Sequence, residues 1–130
     1  MREREEMTKP MRVLIADDDK VLSHQLAARL RALGWRVDLA VDAMQTLMFA
    51  MRNPPDVIVL DIQMPGGTGL DALKKLQTSV KTSQIPVVVL SGTLEPDAEQ
   101  SVLALGAVQF VRKPVEPDVL HEIITGAVAG

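Results

Sequence analysis

The sequence has no cysteine and no tyrosine, and only one tryptophan and two phenylalanines among 130 residues. Without thiols there can be no disulfide and no thiolate metal site. With so few rings there is no stacking platform for single-stranded nucleic acid, and a net charge of -3 opposes a phosphate-backbone partner. No direct nucleic-acid ligand is therefore expected, and no DNA-binding segment is read. No apolar run approaches the roughly 18 residues needed to span a bilayer. The opening Met1 to Lys9 lacks the apolar stretch of a signal peptide. The expectation is a soluble cytoplasmic protein with no membrane partner, in which residues 1–10 form a charged tail and residues 11–130 one domain. Hydrophobic residues make up 47% of the chain, enough for a single core that must be aliphatic.

What is present is a repeated pattern. Apolar runs occur at Arg12 to Ala16, Val37 to Ala40, Val57 to Leu60, Val87 to Leu90 and Val108 to Val111, each followed by a segment with helical spacing. Runs rich in β-branched residues without polar alternation suit strands buried on both faces, so five such units imply an α/β fold with a parallel sheet between two helical layers. Leu22, Leu26, Leu30 and Leu33 mark one face of a first helix over about Lys20 to Leu33, closed by Gly34. Asp42 is placed to cap a second helix with a stripe of Met44, Leu47, Met48 and Met51, read as adaptable core filler. Thr68 to Asp71 fits a capping box for a third helix whose buried face is Leu70, Leu73 and Leu76. A fourth helix is expected near Glu95-Pro96, ended by Gly106, and a fifth from Pro117, burying Leu120, Ile123, Ile124 and Ala127. His24 and His121 have no second ligand at metal spacing and are read as surface histidines.

Chemistry-bearing residues collect where the strands end. The third strand runs into Asp61, and Met64-Pro65-Gly66-Gly67 turns the chain at once, displaying the carboxylate at the edge where parallel sheets bind ligands. The first strand ends in Asp17-Asp18-Asp19, the last of which can cap the following helix. If the first and third strands are neighbours, Asp17 and Asp18 approach Asp61, and each like-charge pair at about 4 Å costs roughly 4 kcal/mol at an effective dielectric near 20. A divalent cation relieves that repulsion, and an all-oxygen site with few carboxylates suits Mg²⁺. The fourth strand delivers the hydroxyl of Ser91, followed by Gly92, and the fifth leads to the ammonium of Lys113. Acids, hydroxyl and ammonium together make a phosphoryl-transfer site with Asp61 as nucleophile.

The set Asp17-Asp18, Asp61-x-x-Met64-Pro65-Gly66, Ser91-Gly92 and Lys113-Pro114, in this order and spacing over residues 11 to about 128, closely resembles the receiver domain of two-component response regulators. The resemblance implies a doubly wound, flavodoxin-like sheet of order 2-1-3-4-5 with five helices. It implies that Asp61 accepts a phosphoryl group from a histidine kinase or histidine phosphotransfer protein, with Lys113 and Ser91 assisting, in a phosphorelay rather than as an enzyme. Asp17, Asp18, Asp61 and the backbone carbonyl of Gln63 would hold Mg²⁺, the one cofactor. Ser91 and Phe110 match the family's switch pair, and Lys113-Pro114 matches a bond often cis in the family. Phosphorylation would alter binding of a downstream protein through the fourth helix, fifth strand and fifth helix, in a monomer or a phosphorylation-dependent dimer. Thr68 stands where the family often has Asp, and Ser91 where it more often has Thr.

Two other readings are carried forward. A phosphohydrolase resembling the haloacid dehalogenase superfamily would use Asp17-x-Asp19-x-Val21 with Asp17 as nucleophile, Ser91 as its hydroxyl and Lys113 as its base. It leaves the segment from Asp61 to Gly66 without a role. A receiver fold working only as a binding module would need no phosphorylation, although such domains usually lack an acid or the lysine.

Overall fold

Three central strands are built almost entirely from side chains with no access to solvent, and the rest of the molecule is arranged to cover them. The computed structural model describes residues 10–64 and 69–130. Five parallel strands, β1 (Arg12–Ala16), β2 (Arg36–Ala40), β3 (Val57–Leu60), β4 (Val87–Ser91) and β5 (Gln109–Arg112), lie in the order β2-β1-β3-β4-β5. Between and after them run α1 (Lys20–Ala32), α2 (Ala43–Arg52), α3 (Gly69–Thr78), α4 (Ala98–Ala104) and α5 (Pro117–Ala129). The fold is the five-stranded, doubly wound one expected from the sequence.

Because successive residues of a strand point to opposite faces, each central strand feeds two cores. Val13, Ile15, Val57, Val59, Val88 and Leu90 pack with Leu26, Leu30, Leu120 and Ile124 beneath α1 and α5. Leu14, Ala16, Ile58, Leu60, Val87 and Val89 pack with Ala50, Leu73, Leu76 and Val102 beneath α2, α3 and α4. Apolar burial of this kind is worth roughly 25 cal/mol per Å², and it explains why the runs read as continuous rather than alternating.

The helix starts follow local chemistry. Asp19 Oδ1 accepts from the Leu22 N–H at 3.1 Å, and Asp42 Oδ1 from the Gln45 N–H at 2.8 Å, each satisfying a donor that the first turn leaves open. Gly34 and Gly106 end α1 and α4 with φ of 99° and 103°, where a side chain would be strained.

Several expectations are corrected. The methionine stripe is not core filler: Met44 is 71% exposed, and Met48 and Met51 are exposed too, because α2 turns Thr46 and Ala50 to the sheet instead. Leu33 lies beyond the last turn of α1 and is exposed. The fourth helix begins at Ala98, not at Glu95-Pro96, which form part of the loop before it. His121 is only partly exposed and sits edge-on to Trp35, with ring centroids 6.2 Å apart. The turn at Pro65 to Gly67 and the cap at Thr68 lie outside the described residues. Among the described residues, no helix is long and apolar enough to cross a membrane.

Candidate functional site

Strand register assembles the site. Ala16 pairs with Leu60, so the residues that follow, Asp17 and Asp61, leave the sheet side by side, with the Asp61 N–H donating to the Ala16 carbonyl at 2.8 Å. Ser91 pairs with Arg112, and the next residue, Lys113, returns its N–H to the Ser91 carbonyl at 3.0 Å. Four chain segments distant in sequence thus end at one edge.

The carboxylates form the centre. Oxygens of Asp17, Asp18 and Asp61 lie within 4.8 Å of one another. Asp17 and Asp61 are almost wholly buried, while Asp18 is exposed. Asp61 is therefore enclosed at the strand end rather than displayed from it, because Lys113 reaches across and the backbone of Gln63 folds back over it. Lys113 Nζ lies 2.7 Å from Asp17 Oδ2 and 3.2 Å from Asp61 Oδ2. The Gln63 N–H donates to Asp61 Oδ1 at 2.9 Å, and the Asp19 N–H to Asp17 Oδ1 at 2.9 Å. Ser91, fully buried, donates weakly to Gln63 Oε1 at 3.4 Å and accepts from the Thr93 N–H at 3.1 Å. The Lys113-Pro114 peptide bond is cis.

One ammonium faces two buried acids, and the titration behaviour follows. Burial raises the Asp61 carboxyl above its ordinary value; the Gln63 N–H opposes this, the charge of Asp17 adds to it, and Lys113 offsets part of it. Burial alone would lower Lys113, but the hydrogen bond and charge of Asp17, with those of Asp61, leave it above its ordinary value. The carboxyl is thus kept basic and the ammonium kept charged. Asp17 Oδ2 is buried and, beyond its ion pair with Lys113, makes no hydrogen bond of acceptable geometry. Hard oxygen donors, converging and incompletely satisfied, fit a small divalent cation.

A family model for the response regulator receiver domain matches residues 13–125. The chain belongs to the response regulator receiver family. This receiver is 31% identical over 119 residues to Protein PilH of Pseudomonas aeruginosa, across 92% of its own length and 98% of PilH. It is 34% identical over 105 residues to the Probable transcriptional regulatory protein TcrX of Mycobacterium tuberculosis, of whose length it spans 44%. Chemotaxis response regulator CheY4 of Vibrio cholerae superposes with a TM-score of 0.85 at 26% identity, over 92% of this chain and 99% of that one. The receiver domain of sensor histidine kinase PA1611 from Pseudomonas aeruginosa superposes at 0.84 with 25% identity, over 93% and 99%, and holds a magnesium ion in its active-site cleft.

Among the described residues, Asp17, Asp18, Asp61, Gln63, Ser91 and Lys113 of this receiver reach the same edge, whereas Phe110 lies on the edge strand β5, partly buried against the core beneath α4. Two residues escaped sequence reasoning. A Cβ on Gly69 would overlap the Ile62 Cα and the Asp61 carbonyl oxygen, so α3 starts against the backbone that carries Asp61. The signal was a glycine at the mouth of a helix, where close approach is as good a reason as a cap. Arg112 donates to the Thr93 carbonyl at 2.8 Å, and its guanidinium carbon lies 5.4 Å from the centre of the Phe110 ring. The two-residue spacing of Phe110 and Arg112 on a strand was the available clue.

Proposed function

We propose that this receiver is a phosphorylation-operated switch in which Asp61 takes a phosphoryl group from a phosphohistidine. The observation that supports this most is convergence on one edge: Asp61 shares the ammonium of Lys113 with Asp17, lies among the carboxylates, and accepts from the backbone of Gln63, whose side chain bonds Ser91. An Asp61 oxygen attacks phosphorus, the P–N bond breaks, and its electron pair returns to the imidazole of the donor. Burial makes the carboxylate a stronger nucleophile by raising its basicity. Lys113 neutralises charge on the phosphoryl oxygens, and Ser91 donates a hydrogen bond to one of them once it leaves Gln63. Mg²⁺, held by Asp17, Asp18, Asp61 and the Gln63 carbonyl, would supply further neutralisation when bound.

The product carries a charge of about -1.5 to -2 at neutral pH. It attracts Ser91 and Lys113, and both lead into the face made by α4, β5 and α5, which we take as the surface read by a downstream protein in the cytoplasm. The donor is a histidine kinase or a histidine phosphotransfer protein, and the switched form is a monomer or a dimer through that face. The hydrolase reading loses support from Asp19, whose carboxylate is engaged in capping α1 rather than offered to a leaving group.

The test is intact mass after incubation with Mg²⁺ and a small-molecule phosphodonor. A single phosphoryl adduct on the wild type that is absent from Asp61→Asn is expected. An adduct that survives in Asp61→Asn would move the nucleophile to Asp17, and none with any donor would leave a binding module.

A further inference from the structure

We infer that Arg112 is a positioning residue for this site, a clasp that holds the loop between β4 and α4 in its resting placement and sets how readily Ser91 turns toward a phosphoryl group. The inference rests on Asp61 being the acceptor. Five contacts form a connected set. Ser91 Oγ bonds Gln63 Oε1 and accepts from the Thr93 N–H. Thr93 Oγ1 accepts from the Glu95 N–H at 3.2 Å, closing the loop on itself. The Thr93 carbonyl accepts from Arg112 Nη1, and the same guanidinium lies against the ring of Phe110.

One side chain therefore engages both halves of the proposed switch pair, the loop that positions Ser91 and the aromatic ring. Phe110 and Arg112 share a face of an edge strand, so the guanidinium covers the ring at a separation suited to cation–π attraction. Thr93 is 8% exposed, and without the arginine its carbonyl would lose its charged donor in the resting form. Room for the loop to move is already present: a cavity of about 230 Å³ beside it is lined by Ile62, Leu70, Thr93, Glu95 and Ala98. Movement of Thr93 into that space would pull its carbonyl from Arg112 and uncover Phe110 in one event.

Loss of the clasp removes stabilisation from the resting form only, so ligands of the active form should bind more tightly by the same factor. The experiment titrates the full chain with beryllofluoride, a phosphoryl analogue, at saturating Mg²⁺. It follows the amide resonances of Thr93 and Phe110 in the wild type, Arg112→Met, Arg112→Lys and Asp61→Asn. Arg112→Met should reach half-saturation at roughly three- to tenfold lower concentration, the range set by the net worth of one hydrogen bond from a side chain that reaches solvent. Its ligand-free resonances should move along the line joining the wild-type free and bound positions, and Arg112→Lys should fall between the two. Half-saturation within twofold of wild type, or free resonances displaced off that line, would overturn the clasp while leaving Asp61 as acceptor. A wild-type response that is absent, or that persists in Asp61→Asn, would overturn the acceptor reading and the clasp with it.

Discussion

Replacing Asp61 by Asn should stabilise the metal-free protein, although it removes a buried side chain's ion pair. At the 4.8 Å limit on the separation of the acid oxygens, each repulsion costs about 3.5 kcal/mol at an effective dielectric near 20. Asp61 meets two of them, and Lys113 at 3.2 Å returns about 5 kcal/mol by the same arithmetic. Asp18 and Lys113 reach solvent, so both sides of that balance shrink, leaving a net cost of about 1 to 2 kcal/mol for the ionised carboxylate. Asparagine keeps one oxygen for the Gln63 N–H, and Lys113 keeps its shorter ion pair with Asp17. Thermal unfolding with chelator at neutral pH should then give Asp61→Asn a Tm roughly 4 to 8 °C higher. The pH dependence has a definite sign. A folded-state value raised above the ordinary one means that the group supports folding below the ordinary carboxylate value and loses that support as pH rises through the raised value. The gap between variant and wild type should therefore close on acidification. Saturating Mg²⁺ should reverse the order, since a ligand at a hundred times its Kd adds about 2.7 kcal/mol to whichever form binds it. A lower Tm for Asp61→Asn in chelator, with a gap that does not narrow toward acid, would refute the reasoning.

Lys113→Ala leaves the acids without their cation and should lower metal-free stability by about 1 to 3 kcal/mol, with Mg²⁺ restoring part of it in the same melts. It should still accept some phosphoryl group in the mass assay, while the phosphorylation-dependent shifts in amide spectra disappear. Gly69→Ala should displace the Asp61 backbone, lowering stability by about 1 to 3 kcal/mol and slowing adduct formation, as read by denaturant titration and timed mass spectra. Leu30→Ala, at a position with no solvent access, should cost about 2 to 5 kcal/mol in denaturant titration. Met44→Gln should change stability by less than about 0.5 kcal/mol, in contrast to what a core role for that stripe would require.

The strands and their order of appearance were legible because burial on both faces leaves a compositional trace: β1 and β3 fall where the runs at Arg12 and Val57 placed them, β2 and β4 are each one residue longer at one end, and β5 is shifted along by one residue. The acids, Ser91 and Lys113 were legible because each lies at a strand's carboxyl end or within two residues of it. Sheet order came from the resemblance, since nothing local to Val13 or Val57 records that they are partners. Helical periodicity misled at α2, where methionine, apolar but flexible, is tolerated on a solvated face and mimics a core stripe. Gly69 and Arg112 were missed for a common reason: their roles lie in contacts with backbone atoms of other segments, Asp61 and Thr93, of which the chain carries only a faint trace, a glycine at a helix mouth and a two-residue spacing on a strand.

The division of the interior into two cores has a practical corollary in optics. The chain's single indole, Trp35, belongs to the core beneath α1 and α5. Intrinsic emission therefore follows that layer, and a rearrangement confined to α2, α3 and α4 leaves it constant unless the sheet between them deforms. Emission and amide resonances are thus complementary channels in one molecule, the first reporting whether the scaffold has held while the second follows the carboxylate edge.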